Sequence, residues 1–370
     1  MINNVKISPI QLFFLIVAVI WGDATIINPV SGVGTDAWVA FIIGWGASFL
    51  LIGLYVYISN SYPSKTLIEI LRECFGNFLG TVIGILYVWY FIHLSSLVFR
   101  SFNEYLITTS YPETPLIFLI IIWMLVAVFI LHKGIEVIGR LGELLIPTVF
   151  IIVFLLTGLS IDKMDLGKLQ PFLTTDFSAI IRASFGLLTF PFGESIVFLM
   201  IFPYINKREK LTKTVFLSVA VSGIVLLMVI LRNISILGID LISKTTFPTH
   251  TITTLIPTIV IEPFLAVNLL ITGGTQTVMF SYAAILAIAQ LLNLDDYKPF
   301  VFPVAILCAS LSMWIYEDLP EMFRIAKEIY PFYSLPFQVL IPLLILMVTL
   351  IKKKLKRHNE NEKEGITESS

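Results

Sequence analysis

Ten stretches of this chain are too long and too apolar to form the inside of a water-soluble domain. Leu116 to Leu131 runs without one charged side chain, and comparable runs recur from Pro9 to Ile351. A helix crosses the hydrocarbon of a bilayer with about 20 apolar residues. On that rule the spans fall at 9–29, 37–59, 79–102, 116–132, 142–160, 179–203, 214–238, 263–290, 299–316 and 333–351. The chain is 57% hydrophobic and 13% charged, and a soluble domain carries about twice that charge. An all-α integral membrane protein of ten transmembrane helices is expected: one transmembrane domain over 1–351, then a basic, disordered cytoplasmic tail over 352–370. The first run, Ile10 to Ile27, is longer than a signal-peptide core and lacks a small-x-small cleavage site, so it should stay as a helix.

Lysine and arginine set the orientation. Sixteen lie in segments on the side of the N-terminus and five in the loops opposite. Cytoplasmic segments carry such an excess, so both termini are expected in the cytoplasm. Arg100, Arg182 and Arg232 fall in the outer thirds of spans, where a long side chain reaches the interface. Arg100 has a second option in Glu104, one turn on. Ser64 to Phe75 reads as an amphipathic surface helix capped by Ser64 and ended by Gly76-Asn77. Thr245 to Glu262, with Pro248 and Pro257, reads as short helices over the outer face, and Glu262-Pro263 as a helix start. Gly32-Val33-Gly34 reads as a turn.

Several functions are disfavoured. A net charge of −1 gives no reason to expect nucleic acid. Cys74 and Cys308 are isolated, and the four histidines have no metal-ligand spacing. No HExxH, Walker loop or GxSxG is present, so neither enzyme activity nor a cofactor is expected.

The chemistry concentrates where two spans are interrupted. Trp21-Gly22-Asp23-Ala24-Thr25 breaks an apolar helix that Asn28-Pro29 ends, and Thr189-Phe190-Pro191-Phe192-Gly193-Glu194-Ser195 breaks the sixth span. A carboxylate at that depth needs a partner or water, and freed peptide groups are tolerated only in a cavity or inside protein. Paired interruptions of this kind point to a transporter-type site, where half-helix ends and carbonyls hold both ends of a zwitterion. Two kinked helices whose acids bind neighbours would be the plainer outcome. The third span adds Tyr87, Tyr90, His93 and Arg100 along one face. His93 offers either a proton relay or a packing group. The eighth adds Asn268, Thr272, Thr275 and Gln276 beside Gly273-Gly274. The candidate ligand site is therefore Gly22, Asp23, Ala24, Thr25, Tyr90, His93, Pro191, Phe192, Gly193, Glu194, Asn268, Thr272 and Gln276.

Several phrases together resemble the spore germination protein family, the GerAB-type B subunits of nutrient germinant receptors. This is a branch of the amino acid–polyamine–organocation transporter superfamily. The phrases are Ser8-Pro9-Ile10-Gln11 with Gly22; Tyr62-Pro63 with Lys65, Leu67 and Glu69; Gly134, Glu136, Gly139-Arg140 and Glu143; and Pro191-Phe192-Gly193-Glu194 with Pro203. The resemblance implies a 5+5 inverted-repeat transporter fold, repeats about 1–165 and 166–351, with helices 1 and 6 broken around a ligand. It further implies a complex with A and C subunits in the spore inner membrane, where the B subunit senses a nutrient, commonly an amino acid, and triggers germination. Two positions depart from the family pattern. Asp23 stands where a small residue is usual, and Glu262-Pro263-Phe264-Leu265 keeps one of two acids. The alternatives are a proton-coupled secondary transporter of amino acids or small organic solutes, with Glu194, Asp23 or His93 as carrier, and a scaffold that assembles the complex through Leu67 and Leu71.

Overall fold

A computed structural model of the chain describes residues 5–27, 30, 32–256 and 262–367. Asn28-Pro29 and Pro257 lie outside them. Among the described residues the fold is helical, with one isolated parallel bridge between Ile7 and Ile205 and no strand.

The helix α1, Pro9–Trp21, starts at a reciprocal cap between Ser8 and Gln11 and stops at Gly22. Then follow α2 (Ala37–Ser61), α3 (Leu67–Thr109), α4 (Leu116–Lys133), α5 (Ile135–Leu159) and α6 (Phe177–Leu187). The second half holds α7 (Leu211–Ile242), α8 (Pro248–Thr254), α9 (Glu262–Leu291), α10 (Val301–Trp314), α11 (Leu319–Glu328), α12 (Tyr330–Leu335) and α13 (Ile341–Thr367). Among the described residues eight helical segments are long and apolar enough to cross a membrane, or nine if the pair Lys298–Trp314 and Leu319–Glu328, bent by 102°, counts as one span. This is a multi-pass integral membrane protein. The first expected span does not reach that length: α1 has 13 residues and gives way at Gly22 to a 3-10 turn, Asp23–Thr25.

Helix α9 is the central member, with 89% of its most apolar window buried, against 28% for α4 and for α5, which face outward. Leu50, Phe78 and Trp314 are more than four-fifths exposed, as lipid-facing side chains should be. At the face that carries the chain ends, Ile7 N donates to Tyr204 O and Asn206 N to Ile7 O, each at 2.9 Å. Gln11 Nε2 donates to Glu143 Oε2 at 3.0 Å beside them. Those bonds close that end of the bundle.

The structure corrects several expectations. The surface helix expected at 64–75 does end at Gly76, where the backbone leaves the helical region (φ +81°, ψ 171°) in a conformation that suits a residue without a side chain, and the third span begins beyond that kink. The cap of the surface helix is Thr66, not Ser64, because Thr66 and Glu69 satisfy each other's backbone donors. The tail expected to be disordered continues α13 as far as Thr367, in a stretch rich in lysine and glutamate, which favour helix. Arg182 is exposed, but Arg100 and Arg232 do not reach an interface, being 5% and 2% exposed. Arg100 Nη2 lies 2.7 Å from Glu104 Oε1. Its Nη1 donates to Ser312 O and Met313 O, holding the end of α10 where the chain bends.

A buried ion pair broken on one side leaves an uncompensated charge costing about 3–5 kcal/mol, whereas removing both partners costs far less. Glu104→Leu should therefore lower the unfolding temperature in detergent sharply, and Arg100→Leu/Glu104→Leu should recover much of the loss. Equal melting of wild type and Glu104→Leu would rule this out.

Candidate functional site

Two helices lose their regular backbone at the same depth. In the first, Gly22 (φ −40°, ψ −90°) ends α1. In the second, α6 passes into a wide π turn, Leu188–Phe192, in which Phe190 is extended (φ −134°, ψ 121°). A 3-10 segment, Gly193–Met200, continues it, with Glu194 in its first turn. Pro191 explains the loosening, since it has no N–H to give.

The amide of Gln276, on α9, joins the two breaks. Its Oε1 accepts the N–H of Asp23 at 2.9 Å, and its Nε2 donates to Glu194 Oε2 at 2.9 Å. Gly22 makes this possible: a β-carbon there would stand 1.8 Å from Gln276 Oε1. The second glycine works alike, since a β-carbon on Gly193 would stand 2.1 Å from Gln338 Oε1 and 2.9 Å from Leu188 O. Gln338 Nε2 in turn donates to the Tyr90 hydroxyl at 2.8 Å, and Tyr55 donates to Gln338 O at 2.7 Å.

The carboxylates complete the site. Asp23 Oδ1 accepts from Ser101 Oγ at 2.5 Å, and Glu194 Oε1 from the Tyr330 hydroxyl at 2.6 Å. Asp23 is 4% and Glu194 3% exposed. Among the described residues neither has a lysine, arginine or histidine within 4 Å. Buried carboxylates with only neutral donors are incomplete electrostatically, and the group that would complete them is a cation or a proton. Both line a cavity of about 20 Å³ with Ser101, Tyr316, Met322 and Tyr330, room for roughly one water molecule. No cluster of His, Cys, Asp and Glu among the described residues could hold a metal ion.

A much larger cavity, about 620 Å³, opens between α2, α7, α8 and α11 and reaches Ala24 and Thr25. The helix α11 stands between the two spaces. Leu319, Phe323 and Lys327 face the larger, Met322 and Ala326 the smaller, the alternation expected of a helix with distinct faces.

The structure gathers Gly22, Asp23, Gly193, Glu194 and Gln276 at one point. Ala24 and Thr25 line the large cavity, and Thr25 Oγ1 donates to Gly22 O at 2.8 Å. Pro191 and Phe192 are buried in the break, Phe192 with no exposure. Tyr90 joins indirectly, stacked on Phe337 with ring centres 4.3 Å apart. His93 is not brought in: its ring packs against Trp89 and Tyr333, and Nδ1 has no hydrogen-bond partner. Three residues carry a helix about 60° short of a full turn, so His93 points beside Tyr90 and away from the carboxylates. Asn268 and Thr272 also stay apart, with Thr272 Oγ1 bonded to Asn268 O within α9. Sequence reasoning missed Ser101, Tyr330 and Gln338. Ser101 had a signal, three turns beyond Tyr90 on the same face; nothing local marked Tyr330 or Gln338.

A family profile described as "Spore germination protein" matches residues 6–320. The chain is similar to spore germination protein KB of Bacillus subtilis (strain 168), 30% identical over 97% of this chain and 99% of that protein. It is also similar to spore germination protein YndE of the same organism, 24% identical over 58% of each. Its fold is similar to that of a solved Na+-coupled sialic acid symporter in a substrate-bound outward-open state, with a TM-score of 0.67, 11% identity, and coverage of 95% of this chain and 89% of that one.

Removing the bridging amide should uncouple the breaks. Gln276→Leu leaves the buried Asp23 N–H without its acceptor and Glu194 short of a donor, each costing about 1–3 kcal/mol. Hydrogen exchange at the Asp23 amide should accelerate in that variant, while amides in the middle of α2 keep the wild-type rate. Unchanged exchange at Asp23 would show that the amide does not hold the break.

Proposed function

The chain belongs to the spore germination protein family, and from that premise we propose that it is the B subunit of a nutrient germinant receptor. A small nutrient carrying an ammonium group, such as an amino acid, binds between the broken helices at the membrane midplane. Its binding triggers germination through A and C subunits. The carrying observation is that Asp23 and Glu194 share one buried cavity, bridged by Gln276, with no basic side chain within 4 Å among the described residues. An ammonium supplies the missing charge, and free carbonyls at the breaks accept its protons.

The cavity is too small for such a ligand in this state. Entry runs from the large cavity past Ile26 and Ile27 and requires α11 to withdraw from Asp23 and Tyr330. A ligand that favours the rearranged state shifts the population toward it, and the neighbouring subunits read that shift. The same reading takes the helices as ten spans in two inverted five-helix repeats, about 1–165 and 166–351. It places both termini in the cytoplasm of the spore inner membrane, as the lysine and arginine excess on that side supports. Ligand-contact roles go to Gly22, Asp23, Gly193, Glu194 and Gln276. Tyr330 and Ser101 position the carboxylates.

One observation favours a second reading. Carboxylates that face only neutral donors are also suited to carrying protons, so a proton-coupled transporter would use the same pair. Purified protein in liposomes with an imposed pH gradient separates the two: accumulation of amino acids supports transport, and no flux supports the receptor.

Gly193→Leu drives its side chain into Gln338 and the Leu188 carbonyl. Spores carrying it should insert the protein at normal levels and lose the nutrient response by at least about tenfold in effective concentration. A normal response would remove the midplane site from the account.

A further inference from the structure

The large cavity has a charge character opposite to that of the midplane pair. Lys244 and Lys327 line it, and among its described lining residues there is no aspartate or glutamate. Lys327 Nζ sits over the backbone at Gly32, 2.6 Å from where a β-carbon would stand, which turns its ammonium across the mouth of the cavity. Neither lysine makes a salt bridge among the described residues. Asp36 is close in sequence to the lining residues Gly34 and Ala37, but its two oxygens accept the N–H groups of Leu173 and Thr175, at 2.6 and 2.8 Å.

A third cation stands behind the wall. Arg232, 2% exposed, has no carboxylate within 4 Å among the described residues. Its guanidinium instead donates to Asn233 Oδ1 at 2.8 Å, to Thr249 Oγ1 at 3.4 Å and to Thr157 Oγ1 at 3.3 Å. Asn233 and Thr249 both line the cavity, and Asn233 Nδ2 donates to Thr249 Oγ1 at 3.1 Å. A buried arginine held only by neutral acceptors leaves its positive charge unbalanced. In a cleft with low-dielectric walls that charge is felt in the adjacent space more strongly than it would be in water. The remaining wall is apolar, with Leu226, Val229, Ile230 and Phe323. The volume of about 620 Å³ is that of a small-molecule site.

We propose that this cavity is a second binding site, which takes the carboxylate of a small, partly apolar solute on Lys244, Lys327 and the Asn233–Thr249 face backed by Arg232. It is distinct from the midplane pair, from which α11 divides it. Together the two spaces sort a solute by charge, carboxylate outside and ammonium within. Anionic lipid headgroups share the carboxylate's charge, but the apolar wall and a volume of small-molecule size favour a free solute.

The test uses the full chain in nanodiscs of zwitterionic lipid and two leucine derivatives, N-acetyl-leucine, which keeps only the carboxylate, and leucinamide, which keeps only the amine. N-acetyl-leucine should bind the wild type and lose affinity by roughly tenfold or more in Lys244→Gln/Lys327→Gln, the scale of one lost charge-assisted contact. Both lysines are exposed, so that variant should fold. Leucinamide binding should be the same in wild type and variant. No binding of N-acetyl-leucine, or equal loss for both derivatives, would overturn the proposal. The measurement is repeated with phosphatidylglycerol in the nanodisc. Retained N-acetyl-leucine binding supports a solute site, whereas its disappearance assigns the cavity to a lipid headgroup and overturns it.

Discussion

The amide of Gln276 lies where two interrupted helices come closest, and its two ends satisfy groups that neither helix can satisfy alone. Asp23 has an N–H that its own helix no longer accepts, and Glu194 has an oxygen buried away from water. In hydrocarbon or packed protein each unmade hydrogen bond is costly. A helix can therefore be opened at that depth only if a neighbour closes the account for it. Helix α9 is the neighbour able to do so, being the most buried of the long helices. The absent side chain at Gly22 is what lets Gln276 in.

From that point the electrostatics divide the molecule into two compartments. On one side of α11 two carboxylates meet with neutral donors, Ser101 and Tyr330, and lack a cation within 4 Å among the described residues. On the other side lysines and a buried arginine surround a larger space. A single short helix with Met322 and Ala326 on one face and Phe323 and Lys327 on the other separates them. On the proposed function, a ligand that offers the missing charge shifts the population toward a rearranged state. At the opposite end the Ile7–Tyr204–Asn206 bonds tie the segment before α1 to the end of the sixth span.

Much of this is legible in the amino-acid sequence. Hydropathy located eight of the ten expected spans among the described residues, and a ninth as a bent pair, because the bilayer leaves a helix little choice. The breaks were legible because a glycine next to a carboxylate loosens an apolar helix and brings a charge that needs a partner there, and Asp23, Glu194 and Gln276 do converge. Other features were hidden because they depend on which distant segment arrives. Tyr330 meets Glu194 only because the α10–α11 bend returns the chain across the bundle. Arg100 and Arg232 read as interfacial by depth, yet Glu104, the carbonyls of α10, and the Asn233–Thr249 pair hold them inside. His93 read as part of the polar stripe because helical spacing tolerates a wide face, whereas a proton path does not. Thr66 displaced Ser64 as a cap through Glu69, a pairing the sequence also contained.

The central claim is that Asp23 and Glu194 act as one site on a bound ammonium. The most direct measurement is a double-mutant cycle on amino acid affinity in the purified full chain, comparing wild type, Asp23→Asn, Glu194→Gln and the double variant. Groups that share a ligand are coupled, and coupling of about 1 kcal/mol or more is expected between them, each single change removing most of the binding. Strictly additive losses, or affinity untouched by either change, would contradict a shared site.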